Sequence, residues 1–118
     1  MLGSRHKRFV MKTSDLFMEL GATYRRHGWE LRGALMRPAT LAEIKPEFLA
    51  NVPVKESEVD ALWFSRPSHN NREAWELRLM AQTQYALFET FEADETEEER
   101  ADVKLEMEAK LRDYATKK

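Results

Sequence analysis

The alternation of apolar and polar side chains most constrains how this chain can fold. The tetrapeptide Trp-Glu-Leu-Arg occurs twice, at residues 29–32 and 75–78. In an extended backbone each copy places Trp and Leu on one side and Glu and Arg on the other. A period of two is typical of half-buried β-strands. Residues 29–36 and 74–80 are therefore predicted to be strands of a sheet with one apolar and one charged face.

Two further segments extend the predicted sheet. Residues 62–65, with Ala61 as an alternative start, form a short and mostly apolar run, and residues 85–91 are apolar on both sides at their start. Because a strand that is apolar on both sides is typical of a covered position, residues 85–91 are expected to be central or covered on both faces. The composition of residues 67–71 is that of a turn. This turn is predicted to join residues 62–65 and 74–80 in a hairpin.

Helical spacing of apolar residues appears at both ends of the chain. Residues 14–27 and 94–115 each carry an apolar stripe, and Thr96 with Glu99 fits a capping box. The stripes consist of Leu16, Phe17, Leu20 and Tyr24 in the first segment, and of Val103, Met107, Leu111 and Tyr114 in the second. Strands grouped between two helices predict an α+β fold. We expect a three- or four-stranded antiparallel sheet with two long terminal helices packed on one face.

The length of 118 residues fits a single domain. Residues 1–10 contain Arg5, Lys7 and Arg8 and no acidic residue, and they are predicted to form a flexible basic tail. The α+β domain is expected to occupy residues 11–118. Because no apolar run is long enough for a signal peptide or a membrane span, we expect a cytoplasmic protein without a membrane partner.

Composition disfavours several classes of function. The chain has no cysteine, so disulfide scaffolds and thiolate zinc sites are excluded. Its four glycines do not form a phosphate-binding loop, and its three histidines do not form a helical metal pair. We therefore expect no cofactor and no metal, and we assign no catalytic residue. The net charge of -2 disfavours general binding to polyanions.

The hairpin around residues 63–75 is the most interesting local cluster, because it gathers two Trp, two Arg and one His. Binding groups are often found on loops that a rigid scaffold holds, and two guanidinium groups can clamp a carboxylate or phosphate. Glu89 would be a buried acid if its side of the strand is covered. The alternative for the hairpin is an ordinary solvated turn, and the alternative for Glu89 is an acid that reaches solvent. The candidate ligand-binding residues are Trp63, Arg66, His69, Arg72 and Glu89.

These features predict a non-catalytic binding or adaptor module that recognises a protein partner, or a second copy of itself as a homodimer. The recognition surface would be the sheet face and the 63–75 hairpin. The alternative is a protein that binds a small molecule or an anion, such as a minor enzyme, through Arg66, His69, Arg72 and Glu89. Nucleic-acid contact is a weaker third hypothesis, since only the first part of the chain is basic. Its candidate residues are Arg5, Lys7, Arg8, Arg25 and Arg26.

Overall fold

A five-stranded sheet and two long helices form the α+β structure, which is a computed structural model that describes residues 11–117. The predicted tail at residues 1–10 lies outside the described residues. The strands are β1 (Glu30–Met36), β2 (Val54–Glu56), β3 (Ala61–Pro67), β4 (Glu73–Leu79) and β5 (Ala86–Phe91). The helices are α1 (Thr13–Arg26), α2 (Pro38–Glu43) and α3 (Glu97–Thr116), with 3-10 turns at Pro46–Leu49 and His69–Asn71.

The two long helices begin and end where local chemistry favours it. In α1, Asp15 lies in the first turn and Arg25 in the last, where each charge suits the helix dipole. Gly28 follows with a φ of 86°, a conformation that glycine adopts without strain. In α3, the Glu99 N–H donates to the Thr96 hydroxyl at 3.1 Å, and the Thr96 N–H donates to the Glu99 carboxylate at 2.9 Å. The predicted capping box is confirmed.

The sheet has the strand order β2-β1-β3-β4-β5, with β1 and β2 parallel and all other neighbours antiparallel. The prediction of a three- or four-stranded antiparallel sheet is therefore wrong in its details. The additional strand, β2, is three residues long and too short to show a period of two. The prediction that residues 85–91 are central is also wrong, since β5 is an edge strand and β3 is the central one.

The terminal helices pack on opposite faces of the sheet, not on one. All of residues 61–65 in β3 are buried. Leu62 and Phe64 belong to the core beneath α1, whereas Ala61 and Trp63 belong to the core beneath α3. We call these two sides the α1 face and the α3 face. Because both faces of the central strands are apolar, each helix has a face to cover.

The two Trp-Glu-Leu-Arg copies point in opposite directions. Trp29, which is 8% exposed, packs on the α1 face, while the half-buried Trp75 packs on the α3 face. Glu76 in the second copy consequently lies on the α1 face, where it accepts a hydrogen bond from the hydroxyl of Tyr24. The sheet therefore has no common charged side, and α1 leaves β5 uncovered on the α1 face, where Phe88 is exposed.

Candidate functional site

The hairpin between β3 and β4 carries most of the predicted site residues. Its tip is closed by the Ser68 N–H, which donates to the carbonyl oxygen of Arg72 at 2.8 Å. Asn70 and Asn71 both have positive φ angles, of 58° and 61°. Asparagine tolerates this left-handed backbone better than most residues with a side chain. The consecutive asparagines thus explain why a tight, fixed turn forms at this position.

Arg66 is held at the base of the hairpin by two contacts. Its guanidinium lies over the ring of Trp29, 4.6 Å from the ring centre. Its Nη1 donates to the carbonyl oxygen of His27 at 2.8 Å, at the end of α1. A cation over an indole ring is attracted by the negative face of the ring. Arg66 therefore joins the hairpin to α1 and stays at the mouth of two cavities.

The first cavity, which we call the hairpin cleft, opens on the α1 face and has a volume of about 560 Å³. Its lining contains basic side chains near the hairpin tip and apolar side chains on the sheet. No acidic residue is among the residues that line it, which are His27, Gly28, Arg66, Pro67, Ser68, His69, Ala74 and Phe88. The hairpin cleft therefore suits a neutral or negatively charged group.

The second cavity, which we call the arginine cleft, opens toward the α3 face and has a volume of about 480 Å³. Three arginines line it: Arg32, Arg66 and Arg72. Arg32 Nε donates to the hydroxyl of buried Ser65 at 2.8 Å, and Arg32 Nη2 pairs with Glu30 at 2.7 Å. Arg72 pairs with Glu92 at 3.0 Å. Each guanidinium thus already has a partner, which lowers its availability for a ligand.

Glu73, which lines the arginine cleft together with Glu30, is the acid at the centre of a cluster of cations. Trp75 Nε1 donates to its carboxylate at 3.1 Å, and Arg100 Nη1 donates at 2.8 Å. The indole hydrogen bond, and then the positive charge of Arg100, lower the pKa of Glu73. The Lys104 ammonium lies 3.5 Å from the centre of the Trp75 ring, and burial lowers the pKa of Lys104. This cluster fastens α3 to β4.

The outer edge of β5 has no strand partner within residues 11–117. The Leu79 N–H donates to the carbonyl oxygen of Tyr85 at 2.9 Å. Because peptide groups alternate in direction along a strand, this contact fixes which residues of β5 face β4. The peptide groups of Ala86, Phe88 and Thr90 face outward, and the Phe88 side chain is 58% exposed. In the described part of the chain, the edge thus presents a hydrogen-bonding row that has no strand partner, beside an exposed aromatic ring.

The structure brings together only some of the predicted ligand-binding residues. Arg66 lines both clefts, His69 lines the hairpin cleft and Arg72 lines the arginine cleft. Glu89 is exposed, pairs with Trp75 in the sheet register and lines neither cleft. Trp63 is buried beneath α3, where its Nε1 donates to the carboxylate of Glu108 at 3.0 Å.

The residues proposed for nucleic-acid contact are only partly within the described range. Arg5, Lys7 and Arg8 lie outside it. Arg25 lines a groove of about 530 Å³ between α1 and β1, and Arg26 is exposed at the end of α1. Both arginines lie in the last turn of α1, where cations are favoured without any ligand.

Sequence reasoning missed Phe88 and Glu108. Phe88 lies in an apolar run that predicts a covered strand, and its exposure follows from the edge position of β5. Glu108 is 6% exposed and belongs to a helix rich in acidic residues, so nothing in the sequence singles it out. Its carboxylate also pairs with Lys55 Nζ at 2.7 Å. Only the packing of α3 over β3 shows that it is buried.

Comparison of the chain with protein-family models, with curated proteins and with solved structures finds no match. Across residues 11–117, no helix combines the length and the apolar character needed to cross a membrane. In the same part of the chain, no group of three or more His, Cys, Asp or Glu side chains is placed to hold a metal ion.

Proposed function

We propose that this chain is a protein-binding module whose partner adds an extended segment to the open edge of β5, beside the hairpin cleft. The observation that carries the proposal is the outward row of peptide groups at Ala86, Phe88 and Thr90, next to the exposed Phe88 ring. An unpaired strand edge is a template for a further strand. This surface includes the sheet face and one side of the 63–75 hairpin.

The two edges of the sheet differ in a way that supports this proposal. The β2 edge is three residues long, follows Pro53 and carries Lys55 and Glu56. Short length, proline and charge are the features that discourage further strand pairing. The β5 edge has six residues, its pairing with β4 has no bulge, and Glu89 is its one charged residue. Of the two sheet edges that residues 11–117 form, the β5 edge is therefore the one suited to receive another strand.

Strand addition also assigns separate roles to the two parts of the surface. Main-chain hydrogen bonds along β5 would supply affinity for any extended backbone, and side-chain contacts would supply specificity. Phe88 would pack against alternate side chains of the partner on the α1 face. The hairpin cleft, with Arg66 and His69 in its wall, would receive a side chain from the end of the partner segment.

A random library of nine-residue displayed peptides is a suitable probe for this function. We expect selected peptides to alternate apolar and polar residues and to shift the amide NMR signals of Ala86, Phe88 and Thr90. Phe88→Asp should weaken their binding at least about 10-fold, which corresponds to about 1.4 kcal/mol. Leu105→Asp is the matched control, because Leu105 is 56% exposed on α3. Selected peptides that bind elsewhere would contradict the proposal.

Anion binding is a second candidate function, favoured by the three arginines that line the arginine cleft. Arg66 is its central residue because it lines both clefts. Titration with inorganic phosphate should shift the amide signals of Ser68 and Asn71, and Arg66→Gln should abolish these shifts. Arg112→Gln is the control, since Arg112 lies on α3 and lines neither cleft. Equal shifts in both variants would count against anion binding.

A further inference from the structure

We infer that the partner at the β5 edge is a second copy of this chain, paired antiparallel through β5 about a two-fold axis at Phe88. This inference rests on the proposed function, because it names the occupant of the same edge. It would join two five-stranded sheets into one continuous sheet. Such an interface is isologous, so each copy presents the same surface to the other.

The direction of the peptide groups selects the register. The peptide groups of Ala86, Phe88 and Thr90 point outward. In antiparallel strands, two opposite residues whose peptide groups point toward each other exchange two hydrogen bonds. An axis at Phe88 places Phe88 opposite itself and Ala86 opposite Thr90 of the second copy. All the outward peptide groups of β5 then have a partner. An axis displaced toward either end leaves some of them unpaired.

The side chains of β5 favour the same register. Glu89 lies opposite Leu87 of the second copy when the axis is at Phe88. An axis at Glu89 would place two carboxylates directly opposite each other, which is destabilising. The two Phe88 rings would meet on the α1 face, where each is now exposed. Aromatic cross-strand pairs are among the favourable contacts in antiparallel sheets.

Charges on α3 are complementary in this arrangement. Glu108 and Lys104 mark the side of α3 that faces the centre of the sheet, because they contact Trp63 and Trp75. At 100° per residue, the opposite side carries the exposed residues Glu106 and Lys110, above the open edge. The two α3 helices are antiparallel because the two-fold axis relates them. Glu106 of one copy then faces Lys110 of the other, twice.

The two halves of α3 also differ in net charge. Residues 97–106 contain five acidic and two basic residues, a balance of -3, and residues 107–117 contain two acidic and three basic residues, a balance of +1. Arg100 lies against Phe91 and Tyr114 stacks on Tyr85, so α3 runs opposite to β5. The antiparallel pair therefore brings the acidic half of each helix beside the basic half of the other.

Sedimentation equilibrium of the full chain over a range of concentrations tests this inference. We expect a dimer whose Kd rises at least about 100-fold in Phe88→Lys, because each dimer would then bury two unpaired ammonium groups. The matched control is Met18→Lys, which adds the same charge at an exposed apolar residue of α1 beside β1, three strands away from β5, and should leave the Kd unchanged. A wild-type monomer at high concentration, or equal Kd values for wild type and Phe88→Lys, would overturn the inference.

A charge exchange on α3 keeps the test informative if Phe88→Lys does not fold. Glu106→Lys and Lys110→Glu should each raise the dimer Kd about 3- to 10-fold, and the double exchange should restore it. No restoration would contradict the antiparallel helix contact. A monomer that still binds displayed peptides at β5 would refute the dimer and keep the proposed function. A monomer that binds none at β5 would refute both.

Discussion

Replacing Glu108 tests how the α3 face is held together, because this buried carboxylate lies between two donors. Trp63 Nε1 donates to one oxygen at 3.0 Å, and Lys55 Nζ pairs with the other at 2.7 Å. Glu108→Leu keeps a good helix former of similar size but removes both acceptors. The Trp63 N–H would be left buried without a partner, which costs about 1–3 kcal/mol. The Lys55 side chain is more than half exposed, so its ion pair contributes less than about 1 kcal/mol.

The free energy of unfolding should therefore fall by about 1–4 kcal/mol in Glu108→Leu. In a Trp63→Phe background the same substitution should cost less than about 1 kcal/mol, because no indole donor is left unpaired and only the Lys55 ion pair is lost. The coupling energy between the two positions should then exceed about 1 kcal/mol. Urea unfolding followed by far-ultraviolet circular dichroism measures all four proteins, and Lys55→Met controls for the ion pair.

If the effects of the two substitutions on the free energy of unfolding are additive, this reasoning is refuted, since additivity would mean that Trp63 and Glu108 do not interact in the folded protein. A Glu108→Leu protein that is more stable than wild type would refute it as well. That result would show that the burial of the carboxylate costs more free energy than its two contacts contribute.

Three further predictions concern the core, a helix end and a half-buried hydroxyl. Leu111→Ala should lower the free energy of unfolding by about 2–5 kcal/mol, whereas Leu105→Ala should change it by less than about 0.5 kcal/mol. Equal effects of the two substitutions in urea unfolding would contradict the packing of α3. Thr96→Ala should cost about 0.5–2 kcal/mol through loss of the helix cap, and no loss would count against the capping box. Burial and the neighbouring carboxylate of Glu76 raise the pKa of Tyr24 from 10.0 to about 12. The contribution of the protonated Tyr24 hydroxyl to stability is therefore complete below pH 10 and is lost as the pH rises through about 12. Unfolding measurements between these pH values should show a smaller loss in Tyr24→Phe, and an unchanged loss would exclude Tyr24 as its source.

The sequence was sufficient to predict the long helices and most strands, because each carries its own signal. Thr96 and Glu99 mark the start of α3, and the hairpin turn at residues 67–71 is marked by its composition. The arrangement of these elements was harder to predict. A period of two shows that Trp29 and Trp75 each point toward an apolar side, but it does not show that these are different sides of the sheet.

The candidate site depends even more on long-range packing. Arg66 was predicted from the hairpin composition, and the structure places it in the walls of both clefts. Phe88 could not be recognised, because its exposure depends on the position of β5 at the edge. Strand order is set by contacts between distant segments, and local patterns carry little information about it.

The strand order also has a consequence for how the chain acquires its structure. The strands β3, β4 and β5 pair with neighbours in sequence, while β1 pairs with the central strand β3 across a longer segment that contains α2 and β2. Closing a longer loop costs more entropy, and contacts between distant residues slow the search for the native state. We therefore expect the three-stranded meander to assemble early in refolding, and β1 with its partner β2 to join the meander last.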